Sequence, residues 1–458
     1  MGEAIVAIEK LCYGGAGFGR LDGKACFVPF TAPGDRARIR IVKEKSSFLE
    51  GQLVGLEVSS PLRVAPPCPA FGVCGGCHWQ HLPYQEQLKQ KGAIFSESLR
   101  RIGKLEADSI LPVAASPNCL GYRSRIQLKH ARKNGATVLG FFKSASHDII
   151  DLPYGCAIAD PLLNRIAAEL RPLLARLPEP NAIPQIDLAL GEGGKSIAVL
   201  HFKGGDPAKL MVRLREARAD LPSVSGLFLL STLATPPRKS GGKGGRAPRP
   251  VAGKRQLEHV FGIDSLEYLI PAGLFPGSRE MRLRFSKGGF SQVNYPQNLE
   301  LIRTVQEWGG FTGGERVLDL YCGNGNISVP LSGCVGEVVG IEGYAPSIED
   351  AAANAAANGV ENASFQVSDA SQALRRMVKR GERFDVVLLD PPRGGAEAAA
   401  EIAQLSPEKI LYVSCDPATL ARDLGTLGQQ GYRVTRSRPV DMFPQTYHLE
   451  SVTELVKI

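Results

Sequence analysis

The sequence predicts a multidomain α/β protein, with an OB-like β-barrel first, an α+β region in the middle and a Rossmann-like doubly wound domain last. Three observations carry that reading. At 458 residues the chain outgrows a single hydrophobic core, so two or three domains are expected. Its opening stretch is a series of short strand patterns broken by glycine. Its final third alternates apolar strands with helices, which calls for a mostly parallel sheet.

Residues 1–57 read as IVAIEKLCYGGAGFGR, KACFVPF, RARIRIVK and FLEGQLVGLEV, the spacing of a small five-stranded barrel of the oligonucleotide-binding type. Within it, Arg36, Arg38 and Arg40 alternate with Ala37, Ile39 and Ile41, so a strand sets three cations on one face. The middle region, 58–285, opens with PPCPAFGVCGGCHWQ. There Cys68, Cys74 and Cys77 form C-x5-C-x2-C, which can wrap three thiolates around one centre. A fourth ligand must come from elsewhere, from Cys119 or Cys156. Zinc and an iron-sulfur cluster would both take four thiolates, and spacing alone does not choose.

EQLKQKGAIFSESLRRIG reads as an amphipathic helix, and 86–117 is expected to pack on the C-terminal domain. In YRSRIQLKH, a strand period places Arg123, Arg125 and Lys129 together. Cationic strand faces of this kind suit a phosphate track. The stretch 235–256 is Pro/Gly-rich with seven Lys or Arg and no acid, and is expected to be a disordered basic linker. It leaves only +1 of the formal +8 on the rest of the chain.

Residues 286–458 carry the clearest pattern. RVLDLYCGNGNISVPL is a strand, a glycine turn and a helix start, and VGEVVGIEGYAPSIEDAAANAAANG is strand, turn and helix. Then come ASFQVSDA, RFDVVLLDPPRGG and KILYVSCDPATLARDL, and finally two strands with no helix between, a terminal hairpin. Ligands of such sheets bind beyond the carboxyl ends of the strands. Gly323 permits the tight first turn, and Glu342, 19 residues on, is placed for two ribose hydroxyls. Asp369 and Asp390 end the third and fourth strands. The acid on the second strand favours a nucleoside cofactor, which on this basis alone leaves a nicotinamide open, and the terminal hairpin points towards S-adenosylmethionine. Cys415 ends the fifth strand, before Asp416 as N-cap and Pro417 at the first helical position. The helix dipole there is expected to favour thiolate.

No basic and apolar leader opens the chain and no apolar run approaches the ~18 residues that span a bilayer, so a cytoplasmic protein with no membrane association is expected, with its ten cysteines free, metal-bound or catalytic.

Read together, C-x5-C-x2-C with Cys156, FSQVN (290–294), DLYCGNGN (319–326), VVGIE (338–342), DPPRGG (390–395), VSCDPATLARD (413–423) and HLESV (448–452) resemble the RNA uracil-5-methyltransferases. They most resemble the 23S ribosomal RNA branch with an RNA-binding TRAM domain. The resemblance implies that residues 286–458 bind S-adenosylmethionine through Gln292, Tyr321, Gly323, Asn326, Glu342, Asp369 and Asp390. It also implies that Cys415 is the nucleophile and Glu450 the base. A [4Fe-4S] cluster on Cys68, Cys74, Cys77 and Cys156 is implied for the middle domain. RNA, 23S rRNA first and tRNA second, is the implied partner of a monomer, with Arg36, Arg38, Arg40, Arg123, Arg125 and Lys129 on phosphates. A rival reading is an RNA-binding factor whose methyltransferase sheet is idle, and another is a zinc or iron-sulfur redox protein. One departure matters: Asp416 stands where relatives usually have Asn, and a carboxylate beside a thiol opposes its ionisation.

Overall fold

The computed structural model describes residues 2–103, 110–179, 181–232, 255–286 and 291–458. The chain forms two compact units, Met1–Tyr122 with Glu267–Ile458, and Arg123–Leu266.

The first unit begins with β1 (Glu3–Leu11), β2 (Gly17–Leu21), β3 (Lys24–Val28), β4 (Arg36–Glu44) and β5 (Phe48–Val58), closed into a barrel in the order β1-β2-β3-β5-β4. Closure leaves no open sheet edge. Val6, Ile8, Cys26, Val28, Ala37, Ile39 and Leu49 fill it. A turn-rich loop bearing three cysteines then leads to α1 (Tyr84–Gly103). This helix buries Phe95 and Leu99 in one core of the C-terminal doubly wound sheet. Its Lys91, fully buried, pairs with buried Asp441 at 2.5 Å.

The second unit is one seven-stranded sheet, built from β6 (Arg125–Lys133), β7 (Ala136–Phe142), β8 (Ile149–Asp151), β9 (Gln185–Leu190), β10 (Ser196–Phe202), β11 (Gly226–Thr232) and β12 (Arg255–Gly262). Its order is β12-β11-β10-β9-β6-β7-β8. Helices α2 (Pro161–Ala175) and α3 (Pro207–Glu216) supply Leu163, Ile166, Leu170, Leu210 and Leu214 to its core. Each starts at an aspartate cap, Asp160 or Asp206, followed by proline, which presets the first helical turn. Of the basic linker expected over 235–256, residues 235–254 lie outside those described. Arg255 and Gln256 instead open β12.

The rest of the first unit carries the hairpin strands β13 (Ser265–Ile270) and β14 (Met281–Ser286), then α4 (Tyr295–Gly309) and the alternating series β15 (Arg316–Leu320), α5 (Ser328–Leu331), β16 (Glu337–Glu342), α6 (Ala345–Ala357), β17 (Ala363–Val367), α7 (Ala370–Arg380), β18 (Val386–Leu389), α8 (Ala399–Leu405), β19 (Lys409–Ser414) and α9 (Pro417–Gln429). The strands β20 (Tyr432–Val440) and β21 (Glu450–Lys457) close it. Sheet order is β17-β16-β15-β18-β19-β21-β20. Alternate strand residues feed two cores: Leu318, Leu320, Ile410 and Tyr412 face one, Val317, Leu411, Val413 and Val452 the other. Burial on both faces explains why these strands read as unbroken apolar runs. The strand order reverses between β15 and β18, which opens the ligand crevice at their carboxyl ends.

Candidate active site

At the end of β15 the chain turns through Tyr321, whose φ of +65° is unusual for a non-glycine residue, and its N–H donates to Ile341 O at 2.8 Å. Gly323 and Gly325 follow with φ of +56° and +79°, and a Cβ on Gly325 would lie 2.7 Å from Val329 Cγ2. Glycine is therefore required there. Glu342 ends β16 and accepts from the Tyr344 amide at 2.8 Å through one oxygen. Asp369 lies just past β17, where it caps α7 by accepting from the Gln372 amide at 3.0 Å. Asp390 follows β18, and burial pushes its carboxyl up to about 7. Asn326 is engaged inside the fold: Oδ1 accepts from Tyr268 Oη and Asn298 Nδ2, both at 2.9 Å, and Nδ2 donates to Asn298 Oδ1 at 2.8 Å. Gln292 is half-buried on the segment before α4.

Cys415 and Glu450 come together through the ladder. β19 and β21 are antiparallel with Ser414 opposite Ser451, so the next positions, Cys415 and Glu450, face each other at the sheet edge. Glu450 is 5% exposed and Cys415 partly so. Asp416 caps α9 as expected, accepting from the Ala418 and Thr419 amides at 2.9 and 3.0 Å. The thiolate expected from that helix start is not the resting state. Burial first, then the Glu450 and Asp390 charges, push the Cys415 thiol up to about 12, Arg393 opposing and Asp416 adding. Glu450 is itself pushed well up, by burial and then Asp390, again against Arg393. Burial and neighbouring acids thus raise both the nucleophile and the base candidate above their ordinary values, with Arg393 opposing.

Cys68, Cys74 and Cys77 share the loop before α1, and the Gly76 amide points at Cys74 Sγ, 3.4 Å away. Thiol donors suit zinc or an iron-sulfur centre. Among the described residues, however, no three His, Cys, Asp or Glu side chains are grouped as a metal site. Cys156, in the second unit, is partly buried against the core there, and its amide donates to Asn164 Oδ1 at 2.8 Å.

On β4, Arg36, Arg38 and Arg40 all point outward and are exposed. Two meet acids on neighbouring strands: Arg36 with Glu57 at 3.7 Å and Arg40 with Glu3 at 3.8 Å. In the second unit Arg123 precedes β6 rather than lying in it, and its side chain donates to Arg125 O at 3.0 Å. Lys129 is held by Gln185 Oε1 at 2.5 Å and sits 5.3 Å from the Phe142 ring centre. This second set is therefore drawn into the sheet's own contacts.

Residues 267–458 match the tRNA (Uracil-5-)-methyltransferase family, and residues 4–54 the TRAM domain. The chain is 34% identical to the 23S rRNA (uracil(1939)-C(5))-methyltransferase RlmD of Alkalilimnicola ehrlichii, over 98% of this chain and 95% of that one. It belongs to the RNA uracil-5-methyltransferases. An RNA methyltransferase of Thermosynechococcus vestitus is 35% identical over 98% of this chain and 96% of its own. Among solved structures, the Pyrococcus abyssi tRNA (uracil-54, C5)-methyltransferase in complex with S-adenosyl-L-homocysteine matches with a TM-score of 0.71 and 26% identity, covering 99% of both chains.

Three residues of this methyltransferase site escaped the motif reading. Arg393, within DPPRGG, is the exposed cation that offsets the acids around both Cys415 and Glu450. Asp319, within DLYCGNGN, is buried and bonded to the Ser328 hydroxyl; burial first, then Asp390 and Glu342, push it up to about 7 against that bond. Both were legible as polar residues inside quoted motifs. Tyr13 of the barrel, which donates to Asp416 Oδ2 at 2.7 Å, gave no local signal.

Proposed function

We propose that this protein methylates C5 of a specific uridine in 23S rRNA, with S-adenosylmethionine as methyl donor and a covalent Cys415 adduct at C6 of the base. The observation that carries it is the register of β19 and β21, which sets Cys415 against Glu450 at the sheet's carboxyl edge. Tyr321, Gly323, Glu342, Asp369 and Asp390 line the same edge around the strand-order reversal and fit the nucleoside. Gln292 and Asn326 complete the proposed set.

Uracil C5 is too weak a nucleophile to take a methyl group unaided. Cys415, as thiolate, adds to C6, and the C5=C6 electrons move onto C5 and its carbonyl. When bound, S-adenosylmethionine supplies the electrophilic methyl group and a positive charge. Positive charge at this edge favours the ionised forms of both Cys415 and Glu450, opposing the burial that raises both. Once C5 carries the methyl group, Glu450 accepts the C5 proton, C5=C6 re-forms and the Cys415 thiolate is expelled; release of that proton from Glu450 to solvent returns the site to its starting state. The raised affinity of Glu450 for a proton suits that task. The target base must leave its stack to expose C6 and C5.

The same reading assigns a [4Fe-4S] cluster to Cys68, Cys74, Cys77 and Cys156, on the chemistry of the thiol donors rather than on an assembled site. Arg36, Arg38, Arg40, Arg123, Arg125 and Lys129 are assigned to RNA phosphates. The protein acts as a cytoplasmic monomer in this reading; no helix of the described residues is long and apolar enough to cross a membrane.

A tRNA substrate is the second reading, favoured by the likeness to the archaeal tRNA enzyme. The test is mapping 5-methyluridine in rRNA and tRNA from cells with and without the gene. Loss of one 5-methyluridine from 23S rRNA is expected. Loss from tRNA alone would select the second reading, and no loss, with no methyl transfer to either RNA in vitro, would make the protein an RNA-binding factor.

A further inference from the structure

Tyr13 stands between β1 and β2, half-buried, yet its hydroxyl reaches Asp416, the residue after Cys415. Asp416 Oδ1 is taken by the α9 amides and Oδ2 by Tyr13, so both oxygens of this acid have donors. The barrel's approach is close along the whole connection. The Tyr13 ring meets Tyr447 edge-on, with centroids 5.4 Å apart at 84°, and Tyr447 lies on the loop that delivers Glu450. At Gly15, φ +89°, a Cβ would stand 3.0 Å from Tyr447 Cδ1 and 3.1 Å from His78 Cβ, so only glycine lets the strand connection seat there. Trp79 Nε1 donates to Gly15 O at 3.0 Å and pins it.

We propose that Tyr13 is a positioning residue of the catalytic site: by donating to Asp416 Oδ2 it holds that carboxylate on the helix cap and draws its charge away from the Cys415 thiol. The barrel would thereby set the reactivity of the nucleophile in addition to any RNA it grips. The inference rests on Cys415 being the nucleophile.

The physical argument is local. A carboxylate next to a thiol opposes its ionisation, and a hydrogen bond to the ionised acid spreads that charge onto the donor. The groups that act on Cys415 are Glu450 on β21, Asp390 after β18, Asp416 at the α9 cap and Arg393 in the loop after β18. Those that act on Tyr13 are Asp416, Tyr447 and Arg393. Burial, then the bond to Asp416, raise its phenol so that it stays a donor. Asp416 is the one acid of this group with no part in the proposed chemistry, and Tyr13 donates to its Oδ2 while the Thr419 hydroxyl reaches Oδ1 at 3.4 Å.

The test uses the full chain in four forms: parent, Tyr13→Phe, Asp416→Asn and the double variant. Two rates are read across a pH series, alkylation of Cys415 followed by peptide mass spectrometry, and formation of the covalent complex with RNA carrying 5-fluorouridine. Tyr13→Phe should slow both by about 3- to 10-fold, the effect of up to about one unit on a thiol. Asp416→Asn should restore them, leaving Tyr13→Phe with less than about a twofold effect in that background, because the charge Tyr13 manages is gone. Equal slowing in both backgrounds would make Tyr13 a packing contact and overturn the inference, as would no slowing in either. A parent protein that forms no complex would instead overturn the nucleophile assignment on which it rests.

Discussion

Asp390, Cys415 and Glu450 come from three strands, far apart in sequence, and their charges act on one another at one sheet edge. Cys68, Cys74 and Cys77 lie within ten residues of one loop, yet among the described residues no three His, Cys, Asp or Glu side chains are grouped to hold a metal. The difference teaches what brings side chains together. In the sheet, each position is set by a hydrogen-bonded ladder, and a slip of one residue would turn Cys415 to the other face. The close fit of particular side chains in each of the two cores, Ile410 and Tyr412 in one and Leu411 and Val413 in the other, opposes that slip. The thiols lie on a turn-rich loop rather than on the strands of a sheet, so binding a ligand can draw them together.

The largest way to break the comparison is at the ladder-placed thiol. Cys415→Ala removes the attacking group, and methylation should fall on the order of 10⁴-fold or more, with no covalent complex on 5-fluorouridine RNA. The fold should survive, since the side chain is small and partly exposed. Labelled methyl transfer and a denaturing gel are the measurements. A variant that still forms the complex would mean that the ladder places a bystander.

Next in size is the partner across the ladder. Glu450→Gln keeps shape but cannot take a proton, so turnover should fall by about 10²- to 10⁴-fold. Attack and methyl transfer precede proton removal, so a covalent methylated complex should build up on natural RNA. Cys415 should also alkylate faster in this variant, because one of the three acids whose charges raise its thiol is gone. Normal turnover would remove Glu450 from the reaction.

What could be read from sequence divides along the same line. Cys415 was legible because an apolar strand, an Asp cap and Pro in succession mark the strand end where ligands bind. Glu450 was placed by resemblance, and the antiparallel register then explains it. Arg393 and Asp319 were overlooked because their roles depend on burial and on charges from other strands. Tyr13 could not be found at all, since its partner is 403 residues away and no local pattern encodes the contact. The second unit was equally opaque: β9 pairs with both β6 and β10, an order that period-two patterns cannot supply. Arg123 fell outside the strand expected to hold it for the same reason.

The loop offers the sharper test of whether ligand, not ladder, organises its cysteines. Anaerobically purified protein should carry about four iron and four sulfide per chain, as a thiolate-held [4Fe-4S] centre does. Cys74→Ser should lower metal content and thermal stability, and weaken RNA binding, before it alters the methyl-transfer step. Stoichiometric zinc without iron would keep the loop's dependence on a ligand but replace the cluster. Protein with neither metal, and unchanged melting on Cys74→Ser, would show that the loop is organised by the chain alone.

The smallest expected effect lies on β4, whose ladder sets the facing of three arginines. Alternation leaves no freedom about facing: Ala37 and Ile39 are buried, so Arg36, Arg38 and Arg40 must share the outer face. Their availability differs. Arg36 and Arg40 have carboxylates at 3.7 and 3.8 Å, while Arg38 has no ion pair among the described residues. Exposed pairs of this length are worth about 0 to 1 kcal/mol, so RNA phosphates can displace the acids, but each displacement gives back part of the gain. An Arg36→Ala, Arg38→Ala double variant should therefore weaken RNA binding modestly and lower the slope of log Kd against log salt. The loss should lie between ~0.7, one full single-strand contact from Arg38, and ~1.4 if Arg36 contributes equally. Filter binding over a salt series reads both quantities. A loss near the lower bound would show that Glu57 keeps Arg36 out of the interface. An unchanged slope would leave the barrel's cationic face without phosphates, so that ladder geometry sets its orientation and nothing more.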